Sequence, residues 1–268
     1  MMYSNRHYVD ELRSGCIGVE AGRQMVSIRF LYARPGSQAM NVVLKLGGHI
    51  IFGEKVNLQL LKQYREMLAD VFDGVGKWVI VVGGGVIARE YVHAGRVLGL
   101  DEATCDMLAI RITRANAALT AHVLGDLAVQ SIPTSLEEIR NYAGMGRIVV
   151  TGGLQPGQST MAVSALSASV ISAERIVVAT DVDGVYTSDP KLSKEARLIP
   201  RLTYDELEKV LAGMTERAGE YPLIDRVGLS LLRRSMTPLY YVNGMYVERV
   251  REALLGRSAG SIVTGRSP

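Results

Sequence analysis

Residues Arg147 to Ala173 read R-I-V-V-T-G-G-L-Q-P-G-Q-S-T-M-A-V-S-A-L-S-A-S-V-I-S-A. The β-branched run Ile148 to Thr151 predicts a buried strand. The cluster Gly152 to Gly157 predicts a turn. Ser159 or Thr160 then offers an N-cap to an alanine-rich helix that runs to about Ala173. A strand feeding a glycine loop and a helix N-terminus is a natural anion site, because free N–H groups and the positive helix end converge on it. Gly152, four residues, then Gly157-Gln158-Ser159 approaches the phosphate-loop spacing G-x4-G-K-[ST], with Gln158 in the place of the lysine. Any cation for a phosphate must then come from elsewhere in the chain. The alternative is a strand-to-helix turn that holds nothing.

The rest of the chain has to supply the sheet. Its 268 residues allow one large α/β domain or two small ones, and 48% hydrophobic with 21% charged residues allows a full core. A net charge of +3, without a basic run interleaved with aromatics, gives no basis for a nucleic-acid partner. Cys16 and Cys105 are the two cysteines, which leaves no disulfide framework and no metal-spaced pair, and points to a reducing cytoplasm. The uncharged stretch Ile148 to Ala173 carries Pro156, glycines and hydroxyls and does not read as a membrane span.

Residues 1–39 differ in character from the remainder of the chain. They carry Arg6, Arg13, Arg23, Arg29 and Arg34 with little apolar periodicity, and allow one short strand around Met25 to Tyr32. The expectation is a loose arm or an upstream over-reading with Met40 as the true start, which the intact mass of natively sourced protein decides. Asn41 to Leu46 reads as a strand closed by Gly47-Gly48. Lys45 interrupts it one residue before its end, either snorkelling at an edge or aimed into a cleft at the strand's carboxyl end. Asn57 to Val71 is an amphipathic helix. Trp78 to Val82 is a strand running into Gly83-Gly84-Gly85 and a helix bearing Arg89, which could fork a phosphate. Gly83, Gly85 and Ala88 fit G-x-G-x-x-A, but Val86 to Leu124 reads as two helices broken at Gly99-Leu100. The second strand that a dinucleotide fold requires is therefore missing. Asp106 lies in the first half of the second helix.

Leu127 to Gln130 reads as a short strand and Ser135 to Tyr142 as a helix. Beyond the opening stretch, Arg175 to Ala179 is a strand leading into T-D-V-D-G-V-Y-T-S-D-P, Thr180 to Pro190. This is either a hairpin or a platform for a nucleotide and Mg²⁺, an ion that takes one or two carboxylates plus substrate phosphates. Tyr204 to Leu211, Ile224 to Arg233 and Tyr246 to Leu254 read as helices, Leu239 to Val242 and Ser261 to Thr264 as strands, and Gly213 to Tyr221 is ambiguous.

Taken in order, N-V-V-L-K-L-G-G, V-V-G-G-G-V-I-A-R-E-Y, I-T-R-A-N-A, V-T-G-G-L-Q-P-G-Q-S-T and A-T-D-V-D-G-V-Y-T-S-D-P resemble the amino-acid-kinase superfamily, and within it the archaeal type of uridylate (UMP) kinase. The resemblance runs from about Met40 to the C-terminus and leaves residues 1–39 without a counterpart. It implies a three-layer α/β/α sandwich with a mostly parallel central sheet, as one domain over 40–268. Residues 40–150 would form the acceptor-nucleotide half and 151–268 the ATP half. It implies transfer of the ATP γ-phosphoryl to UMP, with Mg²⁺, in pyrimidine nucleotide synthesis, by a cytoplasmic homohexamer.

By position, the resemblance places Gly48, His49, Gly85, Arg89, Thr180, Asp181, Tyr186 and Asp189 at ATP. Gly84, Asp106 and the loop Leu154, Gln155, Pro156, Gly157, Gln158, Ser159 and Thr160 fall at UMP, so the near-phosphate-loop would grip the acceptor. Lys45 and Asp183 are the expected catalytic residues, and no metal ligand is assigned. Three positions depart from the pattern. His49 replaces a small residue, Met161 an aspartate, and Asp181 an asparagine or lysine, which throws more of the charge neutralisation onto Lys45. A kinase of the same superfamily acting on an isopentenyl phosphate, a carbamate or an amino acid is the neighbouring alternative. A non-catalytic nucleotide sensor is the other.

Overall fold

The structure, a computed structural model, describes residues 16–21, 24–29, 39–215, 224–257 and 259–265. Most of the arm expected over 1–39, and most of the ambiguous stretch Gly213 to Tyr221, lie outside the described residues. Within the arm, β1 (Cys16–Ala21) pairs antiparallel with β2 (Gln24–Arg29) as a two-stranded sheet of its own. Only the second of these was anticipated, because Cys16 to Ala21 holds two apolar residues flanking a glycine and no clear alternation.

The main sheet has seven strands: β3 (Val42–Leu46), β4 (Trp78–Val82), β5 (Val149–Thr151), β6 (Arg175–Thr180), β7 (Arg201–Thr203), β8 (Leu239–Asn243) and β9 (Ser261–Thr264). Their order is β5-β4-β3-β6-β8-β9-β7, and every neighbouring pair is parallel except β8 with β9. The helices are α1 (Gly48–Ile51), α2 (Leu58–Val71), α3 (Gly85–Val97), α4 (Glu102–Leu124), α5 (Leu136–Ala143), α6 (Thr160–Ile171), α7 (Tyr204–Thr215), α8 (Arg226–Ser235) and α9 (Val247–Leu254).

The central strands are apolar throughout because both of their faces are covered. Val42, Leu44 and Leu46 join Trp78, Ile80, Val82, Val177 and Ala179 in a core with α2 and α9. Val43, Val79, Val81, Ile176 and Val178 form the opposite core with α6. Lys45 shares the face of Val43, in register with Val81 on one side and Val178 on the other. A lysine is tolerated in that row because the strand ends one residue later and its face opens there.

Three sequence expectations shift. Leu127 to Gln130 is not a strand but a 3₁₀ turn, Gly125–Leu127, followed by one bridge between Ala128 and Ile148. Thr180 to Pro190 is not a hairpin; within it only Tyr186 makes a bridge, to Leu198, and the rest is irregular. β7 was not foreseen, since three residues with only Leu202 buried carry no readable period.

Candidate functional site

The chain moves from β3 to β4 and β5 on one side and then returns to β6 on the other. This reversal of winding leaves a crevice at the carboxyl ends of the strands, where open α/β sheets hold ligands. A cleft of about 490 Å³ lies there. Gly47 and Gly48 after β3, Gly83 to Gly85 after β4, Gly153 after β5, and Thr180 and Asp181 after β6 all line it.

The first two glycine loops touch through their backbones. Gly47 N–H donates to Ala179 O at 2.9 Å and Gly83 N–H to Leu46 O at 2.9 Å, which extends the parallel ladder into the loops. A Cβ on Gly48 would stand 2.1 Å from Gly85 N. Gly85 itself has φ +69°, and a Cβ there would stand 1.8 Å from Phe52 O. Only glycine meets both demands. The close approach also brings the first turns of α1 and α3 together, where Arg89 Nη2 hydrogen-bonds His49 Nε2.

α4 braces the other loops. Asp101 caps it, accepting from Thr104 N–H at 2.9 Å. Asn116 Nδ2 donates to Gly83 O at 3.0 Å and Gly84 O at 3.3 Å. Thr113 Oγ1 accepts from Gly153 N–H at 2.7 Å. Arg114 gives Nε to Gly153 O at 3.0 Å and Nη2 to Leu154 O at 2.8 Å. Asp106 Oδ2 accepts from Gly157 N–H at 2.8 Å. The I-T-R-A-N-A motif therefore acts by holding loop backbone in place. The sequence showed polar groups on one helix, but not that their partners lay 40 residues away. Asn116→Ala leaves the Gly83 and Gly84 carbonyls without their amide donor and should cost about 1–2 kcal/mol of stability. A urea titration should show a lower midpoint with unchanged slope.

The loop of the opening stretch differs from its expectation in one respect. The N–H groups of Met161 and Ala162 do not face the ligand space. Both donate to Ser159 Oγ, each at 3.1 Å, as an N-cap demands. Ser159 in turn donates its hydroxyl proton to Asp225, which caps α8 by accepting from Gly228 N–H at 2.9 Å. The fork of helix ends is thus closed internally by Asp225, a residue the sequence did not single out. Gln158, Ser159 and Thr160 line the cleft. The buried Gln158 Oε1 has no hydrogen-bond partner among the described residues.

Lys45 enters the cleft from β3 and makes no ion pair among the described residues. Burial lowers its pKa from the ordinary 10.5, and the Asp181 carboxylate pulls it back up. Asp181 is paired with Lys191 Nζ, and both line the cleft with Asp189. The pKa of Asp181 ends below its usual value even though burial, the largest effect, pushes it up; the Lys191 hydrogen bond and charge outweigh that. Lys191 thus brings a second cation to the place where Asp181 supplies none, and no motif had pointed to it.

Of the expected residues, Lys45, Gly48, His49, Gly84, Gly85, Arg89, Asp106, Gln158, Ser159, Thr160, Thr180, Asp181 and Asp189 are brought together in the cleft lining. Leu154, Gln155, Pro156 and Gly157 lie outside the lining, tied to it through Arg114 and Asp106. Asp183 and Tyr186 lie outside it too. The Asp183 carboxylate accepts from Arg249 Nη1 at 2.6 Å and Asn243 Nδ2 at 3.1 Å. That arrangement ties the segment after β6 to β8 and α9.

The chain matches the amino acid kinase family over residues 40–243. It is 43% identical to the uridylate kinase of Hyperthermus butylicus over 84% of this chain and 98% of the relative. It is 35% identical to the uridylate kinase of Sulfurisphaera tokodaii over 84% of this chain and 99% of that protein. The crystal structure of uridylate kinase from Archaeoglobus fulgidus superimposes with a TM-score of 0.73 at 31% identity, covering 84% of this chain and all of the other.

Proposed function

The chain belongs to the amino acid kinase family, and we propose that, like the relatives named uridylate kinase, it transfers the γ-phosphoryl of ATP to UMP. An acceptor phosphate oxygen attacks the γ-phosphorus, the bond to the β,γ-bridging oxygen breaks, and the products are UDP and ADP. The attacking oxygen is already ionised at neutral pH, so no strong base is needed. The obstacle is the approach of two polyanions, and catalysis is mainly positioning and charge neutralisation.

The observation that carries this reading is the placement of Lys45. Its side chain lines a cleft together with Gly48, Gly85 and Arg89 and with Gly84, Asp106 and Gln158 to Thr160. We assign the first set, with Thr180, Asp181 and Asp189, to ATP and the second to UMP. The division into an acceptor half, 40–150, and an ATP half, 151–268, would then be crossed both ways, by Gly48, Gly85 and Arg89 toward ATP and by the 154–160 loop toward UMP. Lys191 would add a second positive charge beside the transferring group.

Mg²⁺ fits this donor set as an ion carried by the nucleotide. Among the described residues no group of three or more His, Cys, Asp or Glu could cage a metal. Asp181 and Asp189 could complete a shell made mostly of phosphate oxygens. When bound, the ion would neutralise phosphate charge.

We place the reaction in pyrimidine nucleotide synthesis in the cytoplasm; no described helix is long and apolar enough to cross a membrane. Assembly as a homohexamer built from dimers is part of the proposal. It draws support from exposed apolar side chains on one region, Ile87 and Tyr91 on α3, and Val97 and Leu98 beyond them at 71% and 77% exposure.

A coupled ADP-release assay across nucleoside monophosphates tests the activity. UMP should drive ADP release faster than AMP or GMP, and absence of UMP-dependent release would remove the proposal. Asp106→Ala should raise the KM for UMP about tenfold while moving the KM for ATP much less, because Asp106 anchors Gly157 of the acceptor loop. Equal changes in both constants would count against the assignment of the two sets of residues.

A further inference from the structure

We propose that His49 is a positioning residue whose Nε2 accepts a hydrogen bond from Arg89 Nη2 and so holds the guanidinium in the cleft lining, oriented for the phosphates of the donor nucleotide. The inference rests on the assignment of Gly48, Gly85 and Arg89 to ATP.

A guanidinium carries donors only, so the contact is attractive only if Nε2 presents a lone pair. The imidazole must then be neutral with its proton on Nδ1. Its surroundings favour that state. His49 is exposed at its edge, but partial desolvation in the cleft disfavours the imidazolium most, and Arg89 on α3, Lys45 on β3 and Lys191 beyond β6 add positive charge around it; Asp181 alone acts the other way.

The pairing is set by backbone. A Cβ on Gly48 would meet Gly85 N, and one on Gly85 would meet Phe52 O just after α1, so backbone contact fixes α1 against the start of α3. His49 is the second residue of α1, and Arg89 lies one turn into α3. Arg89 is exposed, and a long exposed arginine would otherwise sample many rotamers. Using one Nη on an imidazole leaves the remaining donors of the fork for phosphate oxygens, with the ordering already done before the nucleotide arrives. A small residue at position 49 could not reach the guanidinium, so this chain carries a restraint on Arg89 that a serine there would lack.

The test is ATP binding measured by calorimetry without UMP, for wild type, H49S, H49Q, R89A and the H49S/R89A double variant. H49S should raise the Kd about tenfold, the scale of ordering one long side chain. H49Q should recover most of the affinity, since its amide oxygen can accept from Arg89. H49S/R89A should bind no worse than R89A, because the effect of His49 passes through Arg89. Wild-type affinity in H49S, or an equal further loss on adding H49S to R89A, would overturn the inference while leaving the kinase reading intact. A wild-type protein that turns over UMP with ATP but shows no change in H49S separates the two in the same way. A wild-type protein that does not bind ATP at all overturns both.

Discussion

Replacing Lys45 by alanine should lower turnover about 100-fold or more while the KM for each nucleotide moves far less. The expectation follows from where the ammonium sits. It projects from β3, an interior strand of the sheet, into a cleft lined by Gly47, Gly48 and Gly83 to Gly85, and makes no ion pair among the described residues. A cation kept without a protein partner, and partly withdrawn from water, interacts strongly with charge that appears beside it. Removing one preorganised contact of this kind typically costs about 3–4 kcal/mol in the barrier.

The lowered Lys45 pKa adds a second signature. The amine must be protonated to work, and in the free protein burial makes it lose that proton below the ordinary 10.5. The profile of kcat/KM, which reports groups of the free protein, should therefore bend downward on an alkaline limb that starts below that value. Lys45→Ala should lack the limb. Near wild-type turnover in that variant would take Lys45 out of the mechanism.

Gly85→Ala should destabilise the protein by about 3 kcal/mol and abolish most of the activity. Two costs add at this position. The backbone sits at φ +69°, which an L side chain pays for in any surroundings. The new Cβ would also stand 1.8 Å from Phe52 O and 2.9 Å from the Phe52 Cβ, so backbone has to move. That movement would break the hydrogen bond from Val86 N–H to Phe52 O, now 3.1 Å, and pull the Gly83 to Gly85 loop away from Gly48. Thermal unfolding should show a fall in Tm of about 6–12 °C for a domain of this size. A Gly99→Ala variant is the control. Gly99 also has positive φ, at +80°, but a Cβ there meets nothing within 4 Å. It should cost only the backbone share, about 1 kcal/mol. Equal losses at the two positions would mean that loop contact contributes nothing.

Much of this molecule was legible in one dimension because its elements are long and locally decided. The strands Val42–Leu46 and Trp78–Val82 are unbroken apolar runs but for Lys45, and the helices at Leu58, Glu102 and Thr160 open on Asn57, Asp101 and Ser159, each a side-chain cap. The glycine clusters marked where strands stop, and so where ligands can approach backbone. That was enough to bring Lys45, Asp106, Arg89 and the 158–160 segment into one candidate site.

What stayed hidden depended on partners distant in sequence. Arg114 reads only as part of a polar helix motif; that its donors serve the carbonyls of Gly153 and Leu154 is not visible along the chain. Ser159 reads as a helix cap at the mouth of an anion site, but not as the donor of a hydrogen bond to Asp225, 66 residues later. Nothing near Asp183 in the sequence shows that Arg249 and Asn243, 66 and 60 residues later, donate to its carboxylate. Local sequence determined the strands, the caps and the need for glycine, since those follow from the conformational preferences of each residue and its near neighbours. Only the tertiary structure decided which polar groups face the cleft and which are spent on the scaffold, because a hydrogen bond between distant segments depends on how the sheet winds and leaves no periodic trace along the chain.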